Sequence, residues 1–410
     1  MRSPTRVAAY VDLRYTTRKP TGVDKHIARM VHGLASAPGF AVSVVAPRPQ
    51  LVGPAATIPA SSSLAGLPAS AIPFSNRAAR MLWATSPWPP IDRFCPGADW
   101  IYSPQELWAP AKHARTAVTI HGATYFEPEY PGYHTAWARF ERARMAWFFE
   151  QVCRRADLVI SVSRHLETFL VERFGLDRRR SLVVGNGVDE CFFEAGRAPA
   201  PACDPNRLLV VGGLNDWDGA AHVLAAADAI RDAFPEMTID IAGTFDDEKY
   251  VQAAGARPNI RRLGYVETEN LAAMMPGYLA LLYLPNVESF GLAAVEAMAA
   301  GLPVIACRST AVPETAGNAA IYVSDSPVRQ ASPPVQDRHR GLSYVRQASL
   351  PVHSSLLAAI EMLRDPASRA AWVARGKARA AAFTWPACLD RLTNHLTDKK
   401  PPAEAGGLRV

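Results

Sequence analysis

The chain has 410 residues, of which 49% are apolar and 20% charged. This is globular composition: it excludes disordered, collagen-like and coiled-coil chains, and the length predicts two or three domains. The net charge of +6 is uneven, since residues 1–195 carry 23 Lys and Arg against 16 Asp and Glu, and the remainder 21 against 22. A surplus confined to one half suits an anionic partner there, such as a membrane surface or a phosphorylated acceptor, or else a merely solvated basic surface.

In chain order, the apolar stretch at residues 7–12 is too short for a signal-peptide core. Strands are predicted at 7–11, 41–45, 100–102, 117–120, 158–162 and 182–184. Helical patterns cover 25–35 and 137–155, and residues 52–75, rich in Ala, Ser and Pro, read as a surface loop. A stiff linker is expected at 194–206, where Pro199, Pro201 and Pro205 recur. Beyond it, strands are predicted at 208–211, 238–241, 260–263, 280–284, 304–307 and 320–323, with a helix at 220–234. Residues 324–351 read as a loop in which Val328-Arg329-Gln330-Ala331-Ser332 recurs at 345–349, and the last ten residues are expected to lack order.

Several strands are apolar throughout, as in parallel sheets covered on both faces. Six strands on each side of the linker, alternating with helices, predict an α/β chain of two Rossmann-like doubly wound domains, 1–195 and 206–382. Ligands are then expected in a central cleft, near the carboxyl ends of the strands. The six cysteines include no C-x-x-C pair and read as reduced thiols, and no window is apolar enough to span a membrane. A cytoplasmic location follows, with contact to the inner face of the membrane as a further expectation.

Residues 286–317, NVESFGLAAVEAMAAGLPVIACRSTAVPETAG, carry the densest signal. A strand delivers Glu288 into a loop, and Ser289-Phe290-Gly291-Leu292 opens a helix bearing Glu296. Gly291 permits close backbone approach to a ligand, and the N–H groups of a helix N-terminus favour an anion such as phosphate. A carboxylate one turn in suits the two hydroxyls of a ribose.

The whole string resembles family-four retaining glycosyltransferases of the GT-B fold, whose pattern E-[SG]-F-G-L-x-x-x-E-A-M-A-x-G-x-P-V-I is met by Glu288, Phe290, Gly291, Glu296, Ala297, Met298, Gly301 and Pro303, with Pro313, Glu314 and Gly317 following. The resemblance extends to Thr21-Gly22-Val23, to His121 at a strand end, to residues 156–163 (ADLVISVS) and to Gly185-Asn186-Gly187-Val188-Asp189. Phe383-Thr384-Trp385 resembles the start of a final helix, 383–400, that crosses back to the first domain. The overall pattern resembles bacterial polysaccharide mannosyl- and rhamnosyltransferase types.

The resemblance implies transfer of a hexosyl unit, with retention, from a nucleotide-sugar donor to a glycan or lipid-linked acceptor. No cofactor and no metal are implied. Glu296 would bind the donor ribose, and Glu288 the sugar hydroxyls. Phe290, Gly291 and Leu292 would present amides, and Gly22 and Gly212 would lie by the phosphates. His121 would contact the sugar. Relatives usually carry Asp after this His, where this chain has Gly122.

One departure is larger. The family follows its first strand of domain two with V-G-R-L-x-x-x-K-G, and this chain reads Val211-Gly212-Gly213-Leu214-Asn215-Asp216-Trp217-Asp218-Gly219. Gly213 replaces the Arg and Asp218 the Lys that neutralise the donor diphosphate. Three explanations stay open. Another cation, Arg308, Lys19, Lys25 or Arg14, reaches the phosphates; the donor carries less charge; or the chain is a degenerate partner that binds without turnover.

On the acceptor side, residues 126–155 combine Trp137, Phe140, Trp147 and Phe148 with Arg139, Arg142, Arg144, Arg154 and Arg155, which suits anionic lipid headgroups or, alternatively, domain packing. No nucleic-acid-binding pattern appears. A nicotinamide-binding enzyme lacks its G-x-G-x-x-G fingerprint here, and a GT-B epimerase fits less well than a transferase.

Overall fold

The computed structural model describes residues 3–17, 21–127, 133–199, 201–216, 218–245, 247–323 and 352–397. The duplicated pentapeptide, Lys19 and the C-terminal ten residues lie outside them. Two compact units emerge. The first holds the described residues of 1–126, 134–187 and 383–410, the second those of 127–133 and 188–382.

The first unit is a seven-stranded parallel sheet: β1 (Thr5–Tyr10), β2 (Phe40–Pro47), β3 (Ala69–Ile72), β4 (Trp100–Ser103), β5 (Arg115–Ile120), β6 (Leu158–Ser161) and β7 (Ser181–Val183), in the order β3-β2-β1-β4-β5-β6-β7. The second is a six-stranded parallel sheet: β8 (Asp204–Gly213), β9 (Thr238–Thr244), β10 (Ile260–Gly264), β11 (Tyr278–Tyr283), β12 (Val304–Ala306) and β13 (Ala320–Tyr322), in the order β10-β9-β8-β11-β12-β13. Central strands such as β11 are buried along their whole length, which is why they read as unbroken apolar runs. Strand order reverses between β1 and β4, and again between β8 and β11. Such switch points open a crevice outside the carboxyl ends of the strands, where doubly wound sheets take their ligands.

Three features differ from the sequence expectation. β3 falls inside the stretch read as a loop: its sequence, ASAI, lacks β-branched alternation, and as an edge strand it is only half buried. The linker is shorter than 194–206, because the helix Glu190–Arg197 runs into it and β8 begins at Asp204. That helix packs with the second unit, where a Cβ on Gly196 would lie 2.1 Å from the Ala299 carbonyl oxygen. The packing division therefore falls at Gly187/Val188 rather than at 195.

The helix Trp385–Thr397 packs on the first unit. Trp100 Nε1 donates to the Leu396 carbonyl (3.0 Å), Arg391 donates to that of Val184 (2.7 Å), and Leu389 covers Gly33. Among the described residues, no helix is long and apolar enough to cross a membrane.

Candidate functional site

In the second unit both loops flanking the switch point carry predicted residues. β8 ends in Gly212 and Gly213, with φ of 115° and 97°. A Cβ on Gly213 would meet the Thr244 carbonyl oxygen at 1.9 Å, and one on Gly243 would meet Gly213 N at 2.3 Å. The backbones of β8 and β9 thus touch where the family places its arginine. Position 213 is closed to any side chain.

The loop that follows is organised around Asp218. Its N–H donates to Asn215 Oδ1 (2.8 Å), and Asn215 Nδ2 donates to Asp218 Oδ2 (2.5 Å). The same Oδ2 would lie 3.2 Å from a Cβ on Gly212, so a carboxylate overhangs the glycine pair where the family has a cation. Asp216 is engaged elsewhere, by Lys249 Nζ at 2.9 Å and by the Tyr250 hydroxyl. Asn286 Nδ2 donates to the Asp216 carbonyl (2.6 Å), tying this loop to the one after β11.

In that second loop, Glu288 Oε1 accepts from the Ser289 and Phe290 amides (2.9 and 3.0 Å), and Oε2 accepts from the Tyr283 hydroxyl. A carboxylate has about four lone-pair positions. Glu288 therefore keeps one, on Oε2. The Phe290 amide is already taken, so presenting it to a ligand requires Glu288 to turn. Burial, with the Glu288 and Asp218 carboxylates nearby, raises the Tyr283 pKa well above that of an ordinary tyrosine. The hydroxyl stays protonated and donates to Glu288.

Gly291 (φ 97°) starts the helix Leu292–Ala299. Phe290 and Glu296 are buried, each 5% exposed, and Leu292 is half-buried. Thr310 Oγ1 accepts from the Glu288 amide (2.7 Å). Its own φ of 35° is unusual for a β-branched residue, and such strain is typically held at functional sites.

The structure does not bring Arg308 to the glycine pair. Its guanidinium stacks 4.2 Å from the Tyr322 ring, on β13, the side of β12 away from the switch point. Arg14 is paired with Asp12 at 2.5 Å. Among the described residues, no cluster of three His, Cys, Asp or Glu groups is placed to hold a metal ion.

Sequence reasoning missed one feature. An open groove of about 610 Å³ lies at the ends of β9 and β10, lined by Gly243–Phe245 and by Arg262, Leu263, Gly264 and Tyr265. Arg262 stacks 4.6 Å from the Phe245 ring, which makes a flat, polar-edged wall. The readable signal was a glycine at the end of each strand, Gly243 and Gly264, both with positive φ.

In the first unit, Gly22 is the exposed first residue of the helix Gly22–Ser36 rather than part of a loop, and Asp24 accepts from the Thr21 N–H (2.8 Å) and hydroxyl (2.7 Å) before it. One turn on, His26 is fully buried. Its Nδ1 lies 2.8 Å from Asn186 Oδ1, and its ring meets the His121 ring edge-on at 4.7 Å. His121 follows β5, with its N–H on Glu106 Oε1 (2.6 Å) and its Nε2 2.8 Å from the Pro104 carbonyl oxygen. A carbonyl only accepts, so Nε2 carries a proton. Gly22 and His121 thus share one end of this sheet.

Burial, with His121 opposing it next, pushes the His26 pKa from 6.5 down to about 3. Below pH 6.5 the unfolded chain takes up a proton that the folded chain refuses, so stability falls with pH until about 3. Going from pH 7.5 to 5 should cost about 2 kcal/mol at this group. His26→Asn, whose amide keeps a donor for Asn186, should flatten the fall in melting temperature over that range. An unchanged slope would contradict a buried neutral imidazole.

Two family models match this chain: Glycosyltransferase Family 4 over residues 20–191, and Glycosyl transferases group 1 over residues 194–331. A glycogen synthase of Mycobacterium tuberculosis is 27% identical over 201 residues, 48% of either chain, so the match spans about half the length of that relative. The O-antigen chain mannosyltransferase B of Escherichia coli is 24% identical over 312 residues, 72% of this chain and 74% of that protein. The phosphatidyl-myo-inositol mannosyltransferase of Mycolicibacterium smegmatis is 28% identical over 307 residues, 71% of this chain and 74% of the relative.

Among solved structures, the sucrose-phosphate synthase of Thermosynechococcus elongatus superposes with a TM-score of 0.65 at 18% identity, covering 96% of this chain and 98% of its own. WaaG, a glycosyltransferase involved in lipopolysaccharide biosynthesis, superposes with a TM-score of 0.63 at 14% identity, covering 96% and 100%. These likenesses establish the fold. With two Rossmann-like sheets, each half matched by its own family model, and the Glu288–Glu296 string at the switch point, the chain belongs to the group 1 and family 4 glycosyltransferases of the GT-B fold.

Proposed function

We propose that this protein is a retaining glycosyltransferase that moves a hexosyl unit from a nucleotide-sugar donor to a glycan or lipid-linked acceptor, in bacterial polysaccharide or glycolipid assembly. The observation that carries the reading is the loop 286–291, where a buried helix opens at Gly291 beside Glu288, with Glu296 one turn inside. The names of the mannosyltransferase relatives support a hexosyl donor and, for one of them, a lipid acceptor.

In this reading the donor phosphates meet the first amides of the helix Leu292–Ala299, where the helix dipole favours negative charge. Glu296 accepts from the ribose hydroxyls. The planar base lies in the groove against Phe245 and Arg262. Glu288 offers its remaining lone pair to a sugar hydroxyl. With no carboxylate assigned as nucleophile, the departing phosphate itself takes the acceptor proton, and the acceptor enters on the face it leaves.

A second reading is favoured by Gly213 and Asp218. A closed backbone and an overhanging carboxylate suit a donor with a single phosphate, or a partner subunit that binds without turnover. The readings separate by following nucleotide release from UDP-, GDP-, dTDP- and CMP-sugars in the presence of bacterial lipid and glycan fractions. Diphosphate release that needs an acceptor supports the first reading, release of CMP alone supports the single-phosphate donor, and no release from any donor overturns the transferase.

A further inference from the structure

β11 and β12 run parallel and pair from Leu281 with Val304 to Tyr283 with Ala306, and the Cys307 N–H closes the ladder on the Tyr283 carbonyl (3.2 Å). Beyond that point the two chains part, and the main chain of residues 285–288 loses its sheet partner. Its polar groups must still be paired. Three side chains from the loop after β12 take over. Cys307 Sγ donates to the Pro285 carbonyl (3.3 Å), and Ser309 Oγ to that of Asn286 (2.8 Å). Thr310 does more. Its Oγ1 accepts from the Glu288 N–H (2.7 Å) and donates to the Glu288 carbonyl (2.5 Å), which also accepts from the Ala311 N–H (3.2 Å).

One hydroxyl thus grips both main-chain groups of a single residue. It can do so because a hydroxyl holds one proton and two lone pairs. It is held there at a φ of 35°, on a β-branched residue. Among the described residues, Ala56 is the other non-glycine residue with positive φ, and it lies in the turn between the bridged Val52 and Thr57. Glycine would relieve the strain at position 310 but would bring no hydroxyl. Strain of this kind persists only where the surroundings over-determine it.

We infer that Thr310 is a positioning residue for Glu288. It acts through the Glu288 main chain and touches no substrate itself. With its N–H and carbonyl both fixed, Glu288 is free to turn only its side chain. That is the motion that carries the carboxylate from the Ser289 and Phe290 amides to a sugar hydroxyl. A shift of about 1 Å in such a group lowers a rate by up to about 10²-fold. This role rests on the reading of Glu288 as the group that meets the sugar, and adds what holds that group in place.

The test follows nucleotide release from UDP-, GDP-, dTDP- and CMP-sugars with bacterial lipid and glycan fractions, for the full chain and its variants. T310V keeps the shape of threonine and loses the hydroxyl. Its kcat should fall about 10- to 10²-fold, with affinity for the released nucleotide within about threefold of wild type. T310S, which keeps the hydroxyl, should recover most of the lost rate. T310G relaxes the backbone, so it should melt no lower than T310V and yet be as slow. In a Glu288→Ala background T310V should slow the reaction less than about twofold further, because residues that act as a unit are not additive. A slow Glu288→Ala protein beside a T310V protein at the wild-type rate overturns the inference alone. So does an additive double variant, a T310S protein as slow as T310V, or a loss of nucleotide affinity that matches the loss of rate. A wild type that releases no nucleotide, or a Glu288→Ala protein at the wild-type rate, overturns the reading of Glu288 and this role with it.

Discussion

Glu288→Ala should lower the rate of sugar transfer by about 10²- to 10³-fold and destabilise the protein by about 3 kcal/mol. Both follow from one network. The carboxylate holds the Ser289 and Phe290 amides and the Tyr283 hydroxyl, and alanine leaves three donors without an acceptor in a partly buried loop. Unsatisfied buried groups cost about 1–3 kcal/mol each, reduced here where water can enter. The rate effect is that of losing a preorganised polar group at the reacting sugar.

Glu288→Gln separates the two. Its side-chain oxygen still accepts from both amides, so stability should nearly recover, while the lost charge and the displaced Tyr283 keep the rate low. Thermal melts and initial rates on both variants decide the matter. A Gln variant as active as wild type would show that Glu288 only shapes the loop.

Gly213→Arg, which writes the family's residue back into the chain, should fail to restore a normal phosphate site and should destabilise the protein by about 3 kcal/mol or more. The position has a φ of 97° and no room for a Cβ beside the Thr244 carbonyl. Backbone strain alone costs about 1–3 kcal/mol, and the clash is with backbone rather than with a side chain that can swing away. Asp218→Lys should behave in the opposite way. Asp218 has no such backbone restriction and overhangs Gly212. Exchanging its charge should raise affinity for a nucleoside diphosphate at least about tenfold, given about 4 kcal/mol for a pair at 4 Å near a protein surface. Calorimetric titration of both variants reads this directly. A stable, tighter-binding Gly213→Arg protein would contradict the closed backbone.

The sheets were legible because parallel strands buried on both faces leave continuous apolar runs. Twelve of the thirteen strands could be placed, the central ones such as β11 on that signal and the more exposed ones, such as β10, on their alternation with helices. β3 could not, since an edge strand of small residues is fixed by its pairing with β2 rather than by its own sequence. The helix Glu190–Arg197 was hidden behind the prolines that follow it.

At the site, the string around Glu288 and Glu296 was readable because the whole of residues 286–317 resembles the family pattern; two carboxylates at that spacing alone carry little. Three things were not readable. The sequence shows that Gly213 lacks a cation, but only the approach of β9 shows that it can take no side chain. Arg308 follows β12 as expected, yet its stacking on Tyr322 depends on β13. The buried pairing of His26 with His121 joins residues far apart in the chain, and only the fold of the first sheet brings them together.

The most direct test of a donor site at Gly291 is a thermal-shift panel with UDP, GDP, dTDP, CMP and their sugars, run on the wild type and on Glu296→Ala. Ligand at 100 times its dissociation constant should add about 2.7 kcal/mol of stability. The wild type should shift clearly with one nucleotide and its sugar, and the shift should be largely lost in Glu296→Ala, as a donor site at Gly291 requires. No shift of the wild type with any nucleotide, or an equal shift in both proteins, would contradict it.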